Sequence, residues 1–243
     1  PGYSELLRDP SQLPIRLGIV LSASRTPLRH VSMSADLVDA KKTMRKAMKA
    51  ELKGLDAATI TTASERACER LLALEAFERS ASVSVYLSMP AECQTHKLLE
   101  AAFARGKRVF VPKITSSGRE DMRMVHVESL EQLRAFPCNS WGIPEPPMAM
   151  VDASAPPPVE IDLVVVPGVA FDGACRRLGH GKGYYDTFLD GLGRARAARG
   201  LPRPAAVGLG LQVQLVPAVP VDAHDFVLDA VCLPDARLSP PAE

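Results

Sequence analysis

Apolar positions between Asp36 and Leu52 recur at helical spacing. Leu37, Ala40, Met44, Met48 and Leu52 form one stripe, which predicts a helix there. Lys41, Lys42, Arg45, Lys46 and Lys49 cover its other side. A second helix is predicted over Ala63–Phe77, with Cys68, Leu71, Leu72 and Leu74 turned inward. A third is predicted over Thr95–Ala104, with Thr95 as N-cap and Gly106 as its stop. Ser82–Leu87 alternates and is rich in β-branched residues, so it reads as a strand. Arg108–Pro112, Met122–Val127, Ala206–Leu211 and Phe226–Leu233 add further strands. Asp162–Val166 is apolar on both faces, as a strand buried within a parallel sheet must be.

Strands alternating with helices predict βαβ units. The expected fold is α/β: a mainly parallel sheet flanked by helices on both faces, a Rossmann-like three-layer sandwich. Phe136–Glu160 carries seven prolines and reads as a surface loop. Gly191–Pro204, basic and interrupted by Gly and Pro, reads as an exposed connection.

The length of 243 residues suits one large domain or two small ones. No repeat or linker divides the chain, so residues 35–243 are expected to form a single α/β domain. Residues 1–34 differ: Arg8, Arg16, Arg25 and Arg29 face only Glu5 and Asp9. They read as an N-terminal extension, either a mitochondrial leader or an added or upstream-read segment. Met33 followed by Ser34-Ala35-Asp36 has the look of a start. A formal charge of +1 gives no global attraction to nucleic acid. Five scattered cysteines without a C-x-x-C pair argue against a disulfide framework or a zinc site and point to a reducing compartment. No apolar run reaches the roughly 18 residues of a membrane span. No nucleic-acid or membrane partner is therefore expected. The expected state is a monomer in the cytoplasm, or in mitochondria if residues 1–34 are a leader.

The chemistry concentrates in Arg177-Leu178-Gly179-His180-Gly181-Lys182-Gly183-Tyr184-Tyr185-Asp186. A buried strand leads into it through Pro167–Asp172, and helix-compatible residues follow. Strand, glycine loop and helix aim backbone N–H groups and the positive helix end at phosphate. Arg177 and Lys182 supply compensating charge. The alternating glycines match neither the dinucleotide fingerprint nor the P-loop. Asp186 suits Mg²⁺, which takes one or two carboxylates plus substrate phosphates; first-turn stabilisation of the helix dipole is its other reading.

At this run the sequence resembles the 5-formyltetrahydrofolate cyclo-ligase family, also called methenyltetrahydrofolate synthetase. The resemblance extends to Lys41-x-x-x-Arg45, Tyr86-Leu87-Ser88-Met89-Pro90-Ala91-Glu92 and Gly106-Lys107-x-Val109-x-Val111-Pro112. It continues through Ser140-Trp141-Gly142-Ile143-Pro144-Glu145-Pro146, Val166–Asp172 and His224-Asp225, in the family's order. It implies cyclisation of 5-formyltetrahydrofolate to 5,10-methenyltetrahydrofolate, with ATP as co-substrate, Mg²⁺ as cofactor, and ADP and phosphate released. It also implies residue roles. Lys41, Arg45, Arg177, Gly179, His180, Gly181, Lys182 and Gly183 resemble the ATP site. Leu87, Met89, Glu92, Trp141 and Tyr184 resemble the folate pocket, although Trp141 is equally suited to anchoring its loop. Asp186 and Asp225 resemble the Mg²⁺ carboxylates, and Arg177, Lys182 and Tyr184 are expected at the reacting groups. Two positions depart from the family: Cys175 stands where a glycine is usual, so a positive φ there would be strained, and His180 fills a slot often held by Arg or Gly.

Overall fold

The computed structural model describes residues 33–140, 142–152, 157–222 and 225–241. The reading of residues 1–34 therefore falls outside the described residues but for the helical backbone of Met33 and Ser34, and Trp141 and His224 lie outside them too.

Helix α1 spans Met33–Lys53 and ends at Gly54. α2 (Ala57–Leu72) starts at Asp56, whose carboxylate accepts from Thr59 N at 2.8 Å. The helix predicted over Ala63–Phe77 is two helices: α2 stops at Ala73, and α3 (Glu75–Arg79) carries Phe77 into the core. β1 (Ser82–Ser84) is shorter than predicted. It is followed by α4 (His96–Ala104), β2 (Arg108–Ile114), β3 (Met122–Val127) and α5 (Leu130–Arg134). Thr95 precedes α4 without capping it; its hydroxyl donates to Tyr86 O at 2.7 Å and ties α4 to the chain leaving β1. Next come β4 (Leu163–Val166), a two-stranded ribbon of β5 (Ala170–Phe171) and β6 (Arg177–Leu178), and α6 (Tyr184–Ala197). β7 (Ala205–Leu209), β8 (Ala230–Cys232) and β9 (Arg237–Leu238) complete the chain.

The main sheet runs β3-β2-β1-β4-β7-β8-β9. Five central strands are parallel, and β3 and β9 pair antiparallel at the edges. The expected mainly parallel sheet between helices is thus present. Leu163 and Val165 face α2, α3, α4 and α5, while Val164 and Val166 face α6. Both faces are covered, which is why β4 is apolar throughout.

α1 packs elsewhere. Met44 and Met48 sit on Val169, Ala170, Leu178 and Val219, on the β5–β6 ribbon rather than on the main sheet. That docking half-buries Lys41 and Arg45, which the periodicity had assigned to the solvated side, and leaves Lys42, Lys46 and Lys49 exposed. Ala40 is exposed and does not extend the stripe.

Gly191–Pro204 is also a correction. α6 runs through it to Ala197 and buries Leu192 and Arg196. Arg196 donates to the carbonyls of Pro202, Val159 and Ile161 at 2.6, 2.8 and 2.7 Å. The arginine that looked solvated in sequence is a buried clamp on three carbonyls.

Candidate active site

The sheet changes direction between β1 and β4: β2 continues to one side of β1, and β4, β7 and β8 to the other. Ligands of open α/β sheets bind beyond the carboxyl ends of strands at such a switch point. The loops leaving β1 and β4 carry Leu87–Glu92 and the ribbon with its glycine run.

The ribbon is anchored from below. Phe171 is fully buried. A side chain at Gly168, Gly208 or Gly210 would come within 2.8 Å of its ring, so these glycines permit the close approach. Gln214 donates to Gly168 O at 2.6 Å and accepts from Leu211 N at 2.7 Å.

Asp172, with no exposure, organises the turn between β5 and β6. Its carboxylate accepts from Ala174 N, Arg176 N, Arg176 Nε and Val219 N at 3.0, 3.1, 2.7 and 2.8 Å. Such bonding offsets the burial of a carboxylate. Cys175 lies in this turn at φ 58°, the one non-glycine with positive φ among the described residues. Sequence reasoning foresaw strain at Cys175 and missed Asp172, which holds the turn in that conformation.

Beyond β6, Gly181 and Gly183 adopt φ 98° and 73°. Gly183 is the N-cap of α6 and has no side chain to cap it, so the helix begins with its first N–H groups uncapped. Gly183, Tyr184, Tyr185 and Asp186 line a cleft of about 840 Å³, together with Lys41, Arg45, Arg177–Lys182, Asp222, Asp225 and Phe226. The positive end of a 14-residue helix thus opens on the cleft.

α1 reaches this loop from the side. Arg45 Nε donates to Gly179 O at 2.8 Å, and a methyl group at Gly181 would sit 3.3 Å from Arg45 Cζ. Lys41 Nζ bridges Asp222 and Asp225 at 2.8 and 2.6 Å. Partial burial alone would lower the Lys41 pKa; the hydrogen bonds and charges of the two aspartates outweigh it, and the pKa is raised. Arg177 Nη2 bonds Asp186 Oδ1 at 2.8 Å, and its guanidinium stands 5.9 Å from the Tyr185 ring. Among the described residues, Arg177 Nε and the Tyr185 hydroxyl are buried without a partner. Burial also pushes the Tyr185 pKa up, which keeps the hydroxyl protonated.

The β1 loop meets the glycine run at one contact. Glu92, 9% exposed, accepts from Met89 N at 2.9 Å and lies 3.3 Å from His180 Nε2. Tyr184 donates to Ser116 O at 3.3 Å, tying α6 to the β2–β3 hairpin. The structure therefore gathers Lys41, Arg45, Arg177, Gly179–Gly183, Tyr184, Asp186 and Asp225 around one cleft. Glu92 and Met89 lie beside it, and Leu87 packs against the main core. Among the cleft residues that escaped sequence reasoning are Asp222 and Arg119. Asp222 had a signal, its position three residues before Asp225; Arg119, at the hairpin tip, had none.

A family model described as the 5-formyltetrahydrofolate cyclo-ligase family matches residues 38–234. The chain is 32% identical over 200 residues to the 5-formyltetrahydrofolate cyclo-ligase of Mus musculus, covering 82% of this chain and 96% of the relative. It is 34% identical over 175 residues to a probable 5-formyltetrahydrofolate cyclo-ligase of Schizosaccharomyces pombe, covering 69% and 82%. Among solved structures it resembles the 5,10-methenyltetrahydrofolate synthetase of Aquifex aeolicus, with a TM-score of 0.64 and 25% identity over 84% of this chain and 94% of that one.

Proposed function

The chain belongs to the 5-formyltetrahydrofolate cyclo-ligase family, and on that premise we propose that it uses ATP and Mg²⁺ to close 5-formyltetrahydrofolate to 5,10-methenyltetrahydrofolate, releasing ADP and phosphate. The observation that carries this reading is the glycine loop itself. Two positive-φ glycines, an uncapped helix start, Arg45, Arg177 and Lys182 converge on one cleft. Folate falls to the neighbouring loop, where Glu92 meets His180.

The oxygen of a formyl group carried on nitrogen is a poor leaving group. Transfer of the γ-phosphoryl breaks the bond to the bridging oxygen of ATP and forms one to the formyl oxygen. The N10 amine then attacks the formyl carbon and loses its proton, the carbon–oxygen bond breaks, and phosphate departs. Positioning and charge neutralisation dominate such a transfer. Lys182 and Arg45 oppose phosphate charge, and Arg177 holds Asp186 in place. Tyr184 and Glu92 orient the folate.

Asp186 and Asp225 fit a divalent ion. Each commits one carboxylate oxygen to protein donors: Asp186 Oδ1 to Arg177 and Phe226 N, Asp225 Oδ2 to Lys41 and Asp222 N. Among the described residues no bond engages the other oxygen of either, which would be left for a metal. Among the described residues no group of three or more His, Cys, Asp or Glu is arranged for a metal, so phosphates and water would complete its shell. Bound there, Mg²⁺ would neutralise charge developing on the phosphates.

This reading places the enzyme in the cytoplasm, or in mitochondria if residues 1–34 act as a leader; a fluorescent fusion with and without them separates the two. Among the described residues no helix is long and apolar enough to cross a membrane. For the reaction, folinic acid, ATP and Mg²⁺ are mixed with the protein and the absorbance of the methenyl product is followed. Growth that requires both ATP and Mg²⁺ is expected, with turnover lost in Lys182→Ala. No product at high enzyme concentration overturns the proposal.

A further inference from the structure

The hairpin joining β2 to β3 closes over the glycine loop. Thr115 N and Thr115 Oγ1 donate to Asp121 O, and the Asp121 carboxylate accepts from Gly118 N at 2.7 Å, so the tip is an ordered turn. The Tyr184–Ser116 bond fastens it to the first turn of α6. Arg119 projects from this tip and lines the cleft. A methyl group at Gly183 would lie 3.6 Å from Arg119 Nε, while one at Gly181 would lie 3.3 Å from Arg45 Cζ. Two guanidinium groups thus stand over the two positive-φ glycines, on either side of Lys182. Two residues of backbone extend at most about 7 Å, an interval that one polyphosphate chain bridges.

Charge supports the same conclusion. The cleft lining holds five cations, Lys41, Arg45, Arg119, Arg177 and Lys182, and four aspartates, so removing Arg119 leaves it balanced. Lys41 and Arg177 are engaged by carboxylates, and Arg45 bonds a carbonyl. Among the described residues no ion pair or hydrogen bond engages Arg119 or Lys182. Arg177 lines the same cleft, and its Nε, on a side chain only 5% exposed, is buried without a partner among the described residues.

We propose that Arg119 is a ligand of the nucleotide triphosphate, a fifth cation delivered by the β2–β3 hairpin to the end of the glycine loop opposite Arg45. The proposal rests on the ATP reading of the cleft. Its test is calorimetry of ATP and of adenosine against the wild type, Arg119→Ala, Arg119→Lys and Lys182→Ala. One charge-assisted phosphate contact at an exposed site corresponds to a loss of about tenfold in affinity. Arg119→Ala should weaken ATP by about that factor and leave adenosine unchanged. Arg119→Lys should recover part of the loss, since it restores charge without the planar fork. Arg119 is exposed, so both variants should melt with the wild type. ATP affinity within twofold of wild type in Arg119→Ala, with Lys182→Ala weakened, overturns the role of Arg119 alone. Unchanged ATP affinity in Lys182→Ala as well overturns the phosphate-loop reading and this proposal with it.

Discussion

Gly181→Ala tests the connection between backbone strain and the proposed phosphate loop. Gly181 has φ 98°, and its Cα faces Arg45, whose Cζ and Nη1 would lie 3.3 and 3.5 Å from an added methyl group. Holding an L-residue at such a φ costs about 1–2 kcal/mol. The guanidinium must also yield by a few tenths of an ångström, which disturbs its 2.8 Å bond to Gly179 O; losing part of that bond adds about 1 kcal/mol. The total is about 2–3 kcal/mol. For a domain of this size each kcal/mol moves Tm by about 2–4 °C, so thermal melting should shift down by about 4–12 °C. Turnover should fall too, because Arg45 is displaced from the loop. Gly173→Ala is the control: it lies in the turn of the ribbon that precedes the glycine run, has no positive φ, and its methyl group would meet nothing within 4 Å. It should be neutral or up to about 1 kcal/mol more stable. If Gly181→Ala melts within about 1 °C of the wild type, the strain reasoning is wrong. If it melts lower but turns over normally, Arg45 is not needed where the structure holds it.

Asp172→Ala leaves four donors without their acceptor and should lower urea stability by about 3–5 kcal/mol; a loss under 1 kcal/mol contradicts its organising role. Arg196→Ala frees three carbonyls and should cost about 2–4 kcal/mol by the same measurement, whereas an exposed arginine would cost almost nothing. Cys138 is exposed and Cys68, Cys93, Cys175 and Cys232 are buried, so a thiol reagent should label one group in the native protein and five in denaturant. Burial pushes the Cys68 and Cys232 thiols up to about 12 and Cys175 to about 11. Their folded pKa values exceed the unfolded value of about 8.5. The stability they contribute is complete below that pH and is lost as pH rises towards 11–12, by up to about 1.4 kcal/mol per thiol per unit. A urea midpoint unchanged between pH 8 and pH 10 would refute this.

The α/β class, the buried central strand and the glycine run were all legible in the order of residues. Each rests on local rules: two-sided apolarity for β4, helical spacing for α1, and Gly-x-Gly-x-Gly between a strand and a helix. Boundaries were less legible. Ser82–Leu87 gave only three strand residues, because Tyr86 and Leu87 turn away to carry the loop that ends at Glu92. Phe226–Leu233 likewise gave only Ala230–Cys232.

The sequence by itself determined which groups stand together in the glycine run: Arg177, Lys182 and the glycines are neighbours along the chain, and their chemistry is short-ranged. Tertiary structure alone decided which distant groups join them. Lys41 and Arg45 enter the cleft because Met44 and Met48 dock on the ribbon, and no helical periodicity specifies which apolar surface a helix will find. Glu92 meets His180 across 88 residues, Lys41 meets Asp225 across 184, and Arg119 arrives on a hairpin with no motif of its own. Such contacts depend on sheet order and packing, which bring remote segments together once the core has closed, and a linear pattern of residue types carries no record of them.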